Sequence, residues 1–125
     1  MLSILNKTKK SPPASGSFFK KTKKKILGEK YDLSLVFIES RLSEELNEKY
    51  RKKKGPANVL SFPLDKGSGE IFIDLQKAKK EGAAFNLSYG QFLRLLFIHS
   101  LLHLKGFRHG SKMEKKESQL KERHP

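Results

Sequence analysis

No cysteine and no tryptophan occur among the 125 residues. The first absence excludes a disulfide framework and thiolate metal ligation, so a bound metal has to be held by histidine or carboxylate. Long apolar runs are missing as well. In the most hydrophobic region the longest is Leu95-Leu96-Phe97-Ile98, far below the ~20 residues of a bilayer span, which argues against a membrane partner. Behind Leu2, Ile4 and Leu5 stand Lys7, Lys9 and Lys10, so the N-terminal stretch lacks the apolar core of a secretory signal, and a cytoplasmic location is the expectation.

Acidic residues are scarce relative to basic ones: 13 against 27, for a net charge of +14. Residues 1–56 carry 15 basic and 6 acidic side chains, a net +9. Such a surface attracts polyanions through phosphate contacts and counterion release, which on charge alone makes RNA, DNA or an anionic membrane surface the candidate partners. A generally lysine-rich composition is the competing explanation of the same charge. The length suits one compact domain with a modest core. Residues 1–17 combine Lys7, Lys9 and Lys10 with Ser11-Pro12-Pro13-Ala14-Ser15-Gly16, and are expected to form a flexible basic arm ahead of a domain over 18–125.

Within that domain, Phe19, Thr22 and Ile26 recur at helical spacing amid Lys20, Lys21, Lys23, Lys24 and Lys25, giving a helix from Ser17 to near Gly28 with a strongly basic solvent face. Leu33–Ile38 reads as a buried strand, and Leu42, Leu46 and Tyr50 as the apolar positions of the helix after it. Two more strands are expected over Asn58–Phe62, stopped by Pro63, and Glu70–Asp74. Asp74 caps a short helix through Ala78–Lys80 that ends at Gly82. Ser88 and Gln91 form a capping box ahead of Phe92–Leu104, whose apolar residues surround the axis, so this helix is expected to run through the interior and to end at Gly106. Ser111 and Glu114 repeat the capping-box spacing for a final polar helix.

Three of the four histidines fall within eleven residues, at His99, His103 and His109. Positions 99 and 103 share one face of a helix, a turn apart, as two ligands of one ion require. A left-handed turn at Gly106 would bring His109 to the same point. Zinc held by three imidazoles keeps its fourth position for water, the mark of a catalytic site. The competing reading makes His99 and His103 core histidines bonded to backbone carbonyls and His109 a surface residue, although each buried ring then needs its own polar partner. The spacing is also that of zinc peptidases, but their general-base Glu is replaced here by Ser100.

A second constellation is Tyr50-Arg51-Lys52-Lys53-Lys54-Gly55-Pro56-Ala57-Asn58-Val59-Leu60-Ser61-Phe62-Pro63, a cationic loop feeding directly into a strand, with Arg51 its most telling member. The forked guanidinium of Arg51 matches a phosphodiester and would stabilise charge growing on phosphorus. For Lys52, Lys53 and Lys54, solvated cations between two elements are an equal alternative to RNA contacts.

At these two segments the chain resembles the YbeY family of bacterial endoribonucleases, the rRNA maturation factors. Their metal motif, His-Gly-x-Leu-His-Leu-x-Gly-Tyr-Asp-His, is matched at His99, Leu102, His103, Leu104, Gly106 and His109, and conservatively at Phe107. Their Arg ahead of Pro-Thr-Asp/Asn-Val-Leu-Ser-Phe-Pro is matched by Arg51, Pro56, Asn58, Val59, Leu60, Ser61, Phe62 and Pro63, with Ala57 in place of Thr. Ser100 stands where Gly is usual and Arg108 where Asp precedes the last ligand, so an imidazole-orienting carboxylate is replaced by a cation suited to phosphate.

The resemblance implies a single α/β (α+β) domain with a small, mixed, mostly parallel sheet of about four strands and a buried zinc-binding helix near its C-terminus. It further implies one zinc ion on His99, His103 and His109, with Arg51 and His99 as candidate catalytic residues. The RNA contacts would be Arg51, Lys52, Lys53, Lys54 and Arg108. The implied activity is zinc-dependent cleavage of single-stranded RNA in small-subunit (16S) rRNA 3′-end maturation and ribosome quality control, with rRNA and the ribosomal small subunit as partners. Glu70 is a candidate proton acceptor. The alternative is a non-catalytic ribosome assembly factor that binds rRNA through its cations and uses zinc to secure its fold. Oligomeric state is left open.

Overall fold

The computed structural model describes the backbone of residues 1–109 and the side chains of 1–106. The expected helix beginning near Ser111 lies outside the described residues. Eight elements follow one another: β1 (Leu2–Asn6), α1 (Gly16–Leu27), β2 (Asp32–Ile38), α2 (Ser40–Arg51), β3 (Val59–Asp65), β4 (Ser68–Asp74), α3 (Leu75–Ala84) and α4 (Tyr89–His109). The strands form one sheet in the order β1-β2-β4-β3, in which β1 and β4 run parallel to β2 and β3 runs antiparallel to β4. The fold is thus the expected small, mixed, mostly parallel sheet packed with helices.

Alternation along the strands decides which helix covers which face. Leu33, Leu35 and Phe37 of β2 pair in register with Gly69, Ile71 and Ile73 of β4, and this face joins Phe19 and Leu27 of α1 and Phe92, Leu93, Leu96, Phe97, Leu101 and Leu104 of α4 in one buried core. The rings of Phe19 and Phe97 meet edge to face at 4.9 Å. Each such side chain contributes about 1.5–3 kcal/mol on leaving water. The opposite face carries Phe62 and Phe72, whose rings are 5.8 Å apart, and there Tyr50 of α2 packs on Phe62 at 5.4 Å.

Several expectations are corrected. Residues 2–6 are an edge strand, with all five paired to β2 from Leu2↔Leu33 to Asn6↔Phe37, instead of part of a flexible arm. A parallel edge strand is ordered by backbone hydrogen bonds to its neighbour, which need little apolar surface of its own. β3 runs through Pro63 to Asp65, tolerable because β3 is the opposite edge and a proline's missing N–H then costs no ladder bond. On α1 the buried residues are Phe19, Lys23 and Leu27, so Lys23 leaves the solvent face.

On α2 the fully buried side chains are Ser43 and Asn47, while Tyr50 is 58% exposed. Both side chains reach back to the loop that follows the helix. Ser43 Oγ donates to Ala57 O and accepts from Ala57 N, and Asn47 Nδ2 donates to Gly55 O. α3 is capped by Asp74 as expected, its carboxylate accepting from Lys77 N at 3.0 Å, but it continues past Gly82 to Ala84. A Cβ on Gly82 would lie 3.0 Å from Phe92 Cβ, so this glycine lets α3 and α4 approach closely and does not end the helix.

α4 begins with the expected capping box, Ser88 N donating to Gln91 Oε1 and Gln91 N to Ser88 Oγ. It does not run through the interior. Phe92, Leu93, Leu96, Phe97, Ser100, Leu101 and Leu104 form one broad buried stripe, with Arg94 and His103 exposed. Nor does it end at Gly106, since helix continues to His109. No described helix is long and apolar enough to cross a membrane.

Candidate metal and RNA site

His99 and His103 are brought together by the helical period alone. Their Nε2 atoms stand 2.8 Å apart and their rings meet at 79° with centroids 4.4 Å apart. His99 is half-buried and His103 exposed, so neither is a core histidine. At 2.8 Å one neutral ring donates N–H to the other, or both nitrogens turn to a shared cation. Two ligands of a tetrahedral zinc at about 2.0–2.1 Å stand roughly 3.3 Å apart. The pair therefore has to open by about half an ångström, a small rotation for an exposed ring.

The third expected ligand is not gathered by the described geometry. Residues 106–109 continue the helix, and six residues beyond His103 place the His109 backbone about 9 Å along the axis and about 240° around it. The side chains of Arg108 and His109 lie outside those described. Among the described residues no group of three His, Asp or Glu could hold a metal. The described residues thus bring two imidazoles together, and a third requires the last turn to change course.

Ser100 is only 1% exposed, and its Oγ donates to Leu96 O at 2.9 Å. It faces the core and offers no base to the histidine flank. Glu70 is also removed from the site. Its neighbour Gly69 faces α4, where an added Cβ would meet Leu104 Cδ2 at 2.9 Å, and alternation turns Glu70 to the α2 side of the sheet. That corrects the expectation of a proton acceptor beside the histidines.

Arg51 is the last residue of α2 and is exposed, as are Lys52, Lys53 and Lys54. Lys52 ends the helix in a left-handed conformation at φ 55°, and the N–H of Lys53 donates back to Asn47 O at 3.3 Å. The cationic loop is thus anchored at both ends, by this cap and by the Ser43 and Asn47 bonds to Ala57 and Gly55. Tyr50 and Arg51 belong to the sheet face opposite α4, and the edge strand β3 contacts both helices. Any strand touching Arg51 and the histidines together has to cross that edge.

Tyr50 opens the cationic segment in the sequence, but the chemistry read there belongs to Arg51. Tyr50 is an exposed ring, with Lys49 Nζ 5.3 Å from its centroid, and the signal for it was an aromatic residue directly preceding a run of four cations.

Comparison with known proteins adds to this geometry. The family model described as Endoribonuclease YbeY matches residues 6–124. A Campylobacter jejuni protein named Endoribonuclease YbeY is 38% identical over 103 residues, covering 76% of each chain. Its namesake from Clostridioides difficile is 31% identical over 105 residues, 75% of this chain and 69% of the other. The solution structure of TM1509 from Thermotoga maritima superposes with a TM-score of 0.66 at 25% identity, covering 96% of this chain and 86% of that one.

Proposed function

Because the chain belongs to the YbeY endoribonuclease family, we propose that it is a zinc-dependent, single-strand-specific endoribonuclease of the cytoplasm, acting in 16S rRNA 3′-end maturation and ribosome quality control. The observation that carries the metal assignment is the 2.8 Å approach of His99 and His103 Nε2 on the exposed flank of α4. His109 would complete the ligand set once residues beyond Gly106 leave the helical path. Bound there, zinc would supply Lewis acidity toward a phosphoryl oxygen and acidify a water molecule.

The chain's own residues supply the rest. Arg51 would pair with the phosphodiester through its fork of donors, and Lys52, Lys53 and Lys54 would hold neighbouring phosphates. Tyr50 would stack an unpaired base beside them, an interaction indifferent to base identity and available to single strands. Ser100 takes no part, since its hydroxyl is spent on Leu96 O.

The test compares wild type, His103→Ala and Arg51→Ala on a labelled single-stranded RNA, with and without chelator, alongside elemental analysis of each protein. Cleavage lost with the metal, with His103 and with Arg51 supports the reading. Undiminished cleavage by metal-free His103→Ala would sink it. Stoichiometric zinc and RNA binding without cleavage in any preparation would favour an assembly factor.

A further inference from the structure

The most cationic of the described elements takes no part in the site above. α1 carries five lysines and no acidic residue between Gly16 and Leu27. Lys20, Lys21, Lys24 and Lys25 are exposed, and Lys20/Lys24 and Lys21/Lys25 form two rows whose members are one turn apart. The fifth, Lys23, is 4% exposed, and its Nζ donates to Glu29 O at 3.0 Å. Between α1 and β1 lies a cavity of about 470 Å³ lined by Leu2, Ile4, Lys20, Lys23, Lys24 and Glu29 among others. Glu29 is ion-paired to Lys24 at 3.1 Å, and that bond and charge, with weaker contributions from Lys23 and Lys20, hold its carboxyl below the usual 4.5.

These lysines are on the wrong side to serve the histidines. The Arg94 guanidinium lies 5.9 Å from the ring of Phe18 on α1, so that flank of α4 faces α1. His103 is nine residues on, about half a turn around the axis. A scissile phosphate at the histidine pair is therefore out of reach of α1, whereas a large, folded polyanion engages both flanks. A lipid surface suits the helix poorly, because its exposed positions are Gly16, Ser17 and the four lysines, with no apolar side chain to enter a bilayer.

We infer that the lysine face of α1, with the cavity it forms against β1, is a second RNA-docking surface that grips phosphates of a structured RNA away from the site of cleavage. For the identity of its partner this rests on the RNA-acting reading above. The exposed rows contact successive phosphates, and Lys23, its Nζ held on Glu29 O, forms part of the cavity wall behind them. Binding is then strongly salt-dependent and indifferent to sequence.

The experiment uses the full chain and a quadruple variant, Lys20→Gln, Lys21→Gln, Lys24→Gln and Lys25→Gln, with a labelled RNA hairpin of roughly 30 nucleotides, a single-stranded hexamer and vesicles containing anionic phospholipid. The variant should bind the hairpin at least tenfold more weakly, and its slope of log affinity against log salt should flatten by about 2–4, near 0.9 per lost contact. Cleavage of the hexamer should be unchanged, and the corresponding four Lys→Arg replacements should restore hairpin affinity. In wild type, hairpin RNA should protect these lysines from acetylation. Unchanged affinity and slope, absent protection, or loss confined to vesicle binding would each overturn the inference. Protection by a wild-type protein that cleaves nothing would instead remove the nuclease reading and leave the docking surface standing.

Discussion

Ser43 and Ala57 exchange two hydrogen bonds: the serine hydroxyl donates to the alanine carbonyl at 2.6 Å and accepts from its amide at 2.9 Å. One fully buried hydroxyl thereby satisfies both backbone groups of a loop residue fourteen positions away and fixes the segment that follows Arg51. Ser43→Ala leaves both without a partner, at a cost of about 1–3 kcal/mol. A fall in the thermal midpoint of several degrees is expected, with a larger loss of RNA affinity than of zinc affinity. An unchanged midpoint would remove Ser43 as the anchor.

Asp74 joins two helix starts. Its Oδ1 accepts from Lys77 N at 3.0 Å, and its Oδ2 accepts from Ser40 Oγ at 2.7 Å, and the residue is fully buried. Asp74→Ala removes an N-cap and orphans a hydroxyl, for a combined loss of about 2–4 kcal/mol. Chemical denaturation should show Asp74→Asn recovering part of that loss. Equal stability of the two variants would count against a hydrogen-bonding role.

At Gly69 an added methyl would lie 2.5 Å from Tyr31 Oη and 2.9 Å from Leu104 Cδ2. Gly69→Ala should therefore overpack the sheet–α4 interface by about 1–3 kcal/mol. The double variant with Leu104→Ala should lose less than the two single costs added together, because the second change opens room for the first. Strict additivity in urea titrations would show that the contact is relieved elsewhere.

The turn between β3 and β4 gives the chain an acid-sensitive element. Asp65 Oδ1 accepts from Gly67 N at 2.7 Å and Ser68 Oγ at 2.9 Å, and these bonds hold its carboxyl below the ordinary 3.8. A depressed folded-state pKa means that the stabilisation is present above the unfolded value and is lost as pH falls through the folded one. The thermal midpoint should decline below about pH 4, and Asp65→Asn should flatten that part of the profile. A variant profile parallel to wild type would exclude Asp65 as the source.

What the sequence shows and hides divides along local and non-local causes. The His99/His103 pair, the Ser88/Gln91 capping box and the Asp74 cap were all legible because each depends on residues three or four apart. β1 was hidden: Leu2–Asn6 has no periodicity of its own, and its order comes from pairing with β2 some thirty residues away. The inward face of α2 is not legible because Leu42, Leu46 and Tyr50 look like a core stripe, whereas Ser43 and Asn47 are the buried residues and bond to the backbone of the loop beyond. Gly82 and Gly106 both looked like terminators, and both are inside helices. For Gly82 the cause is the approach of Phe92, which no local pattern announces.

Gly106 leads to the last prediction. Helix through 106–109 carries His109 around the axis from the His99/His103 pair, so a three-histidine metal site and a continuous last turn exclude each other. If zinc recruits His109, its addition to metal-free protein should move the carbon chemical shifts of Phe107 and Arg108 away from helical values, while those of residues 92–104 stay helical. Helix there is cheap to give up, since a glycine inside a helix costs about 1 kcal/mol relative to alanine. His109→Ala should then abolish the shift change and weaken zinc binding by at least tenfold. Zinc bound with undiminished affinity by His109→Ala, with residues 106–109 helical throughout, would show that the metal rests on His99 and His103 without His109.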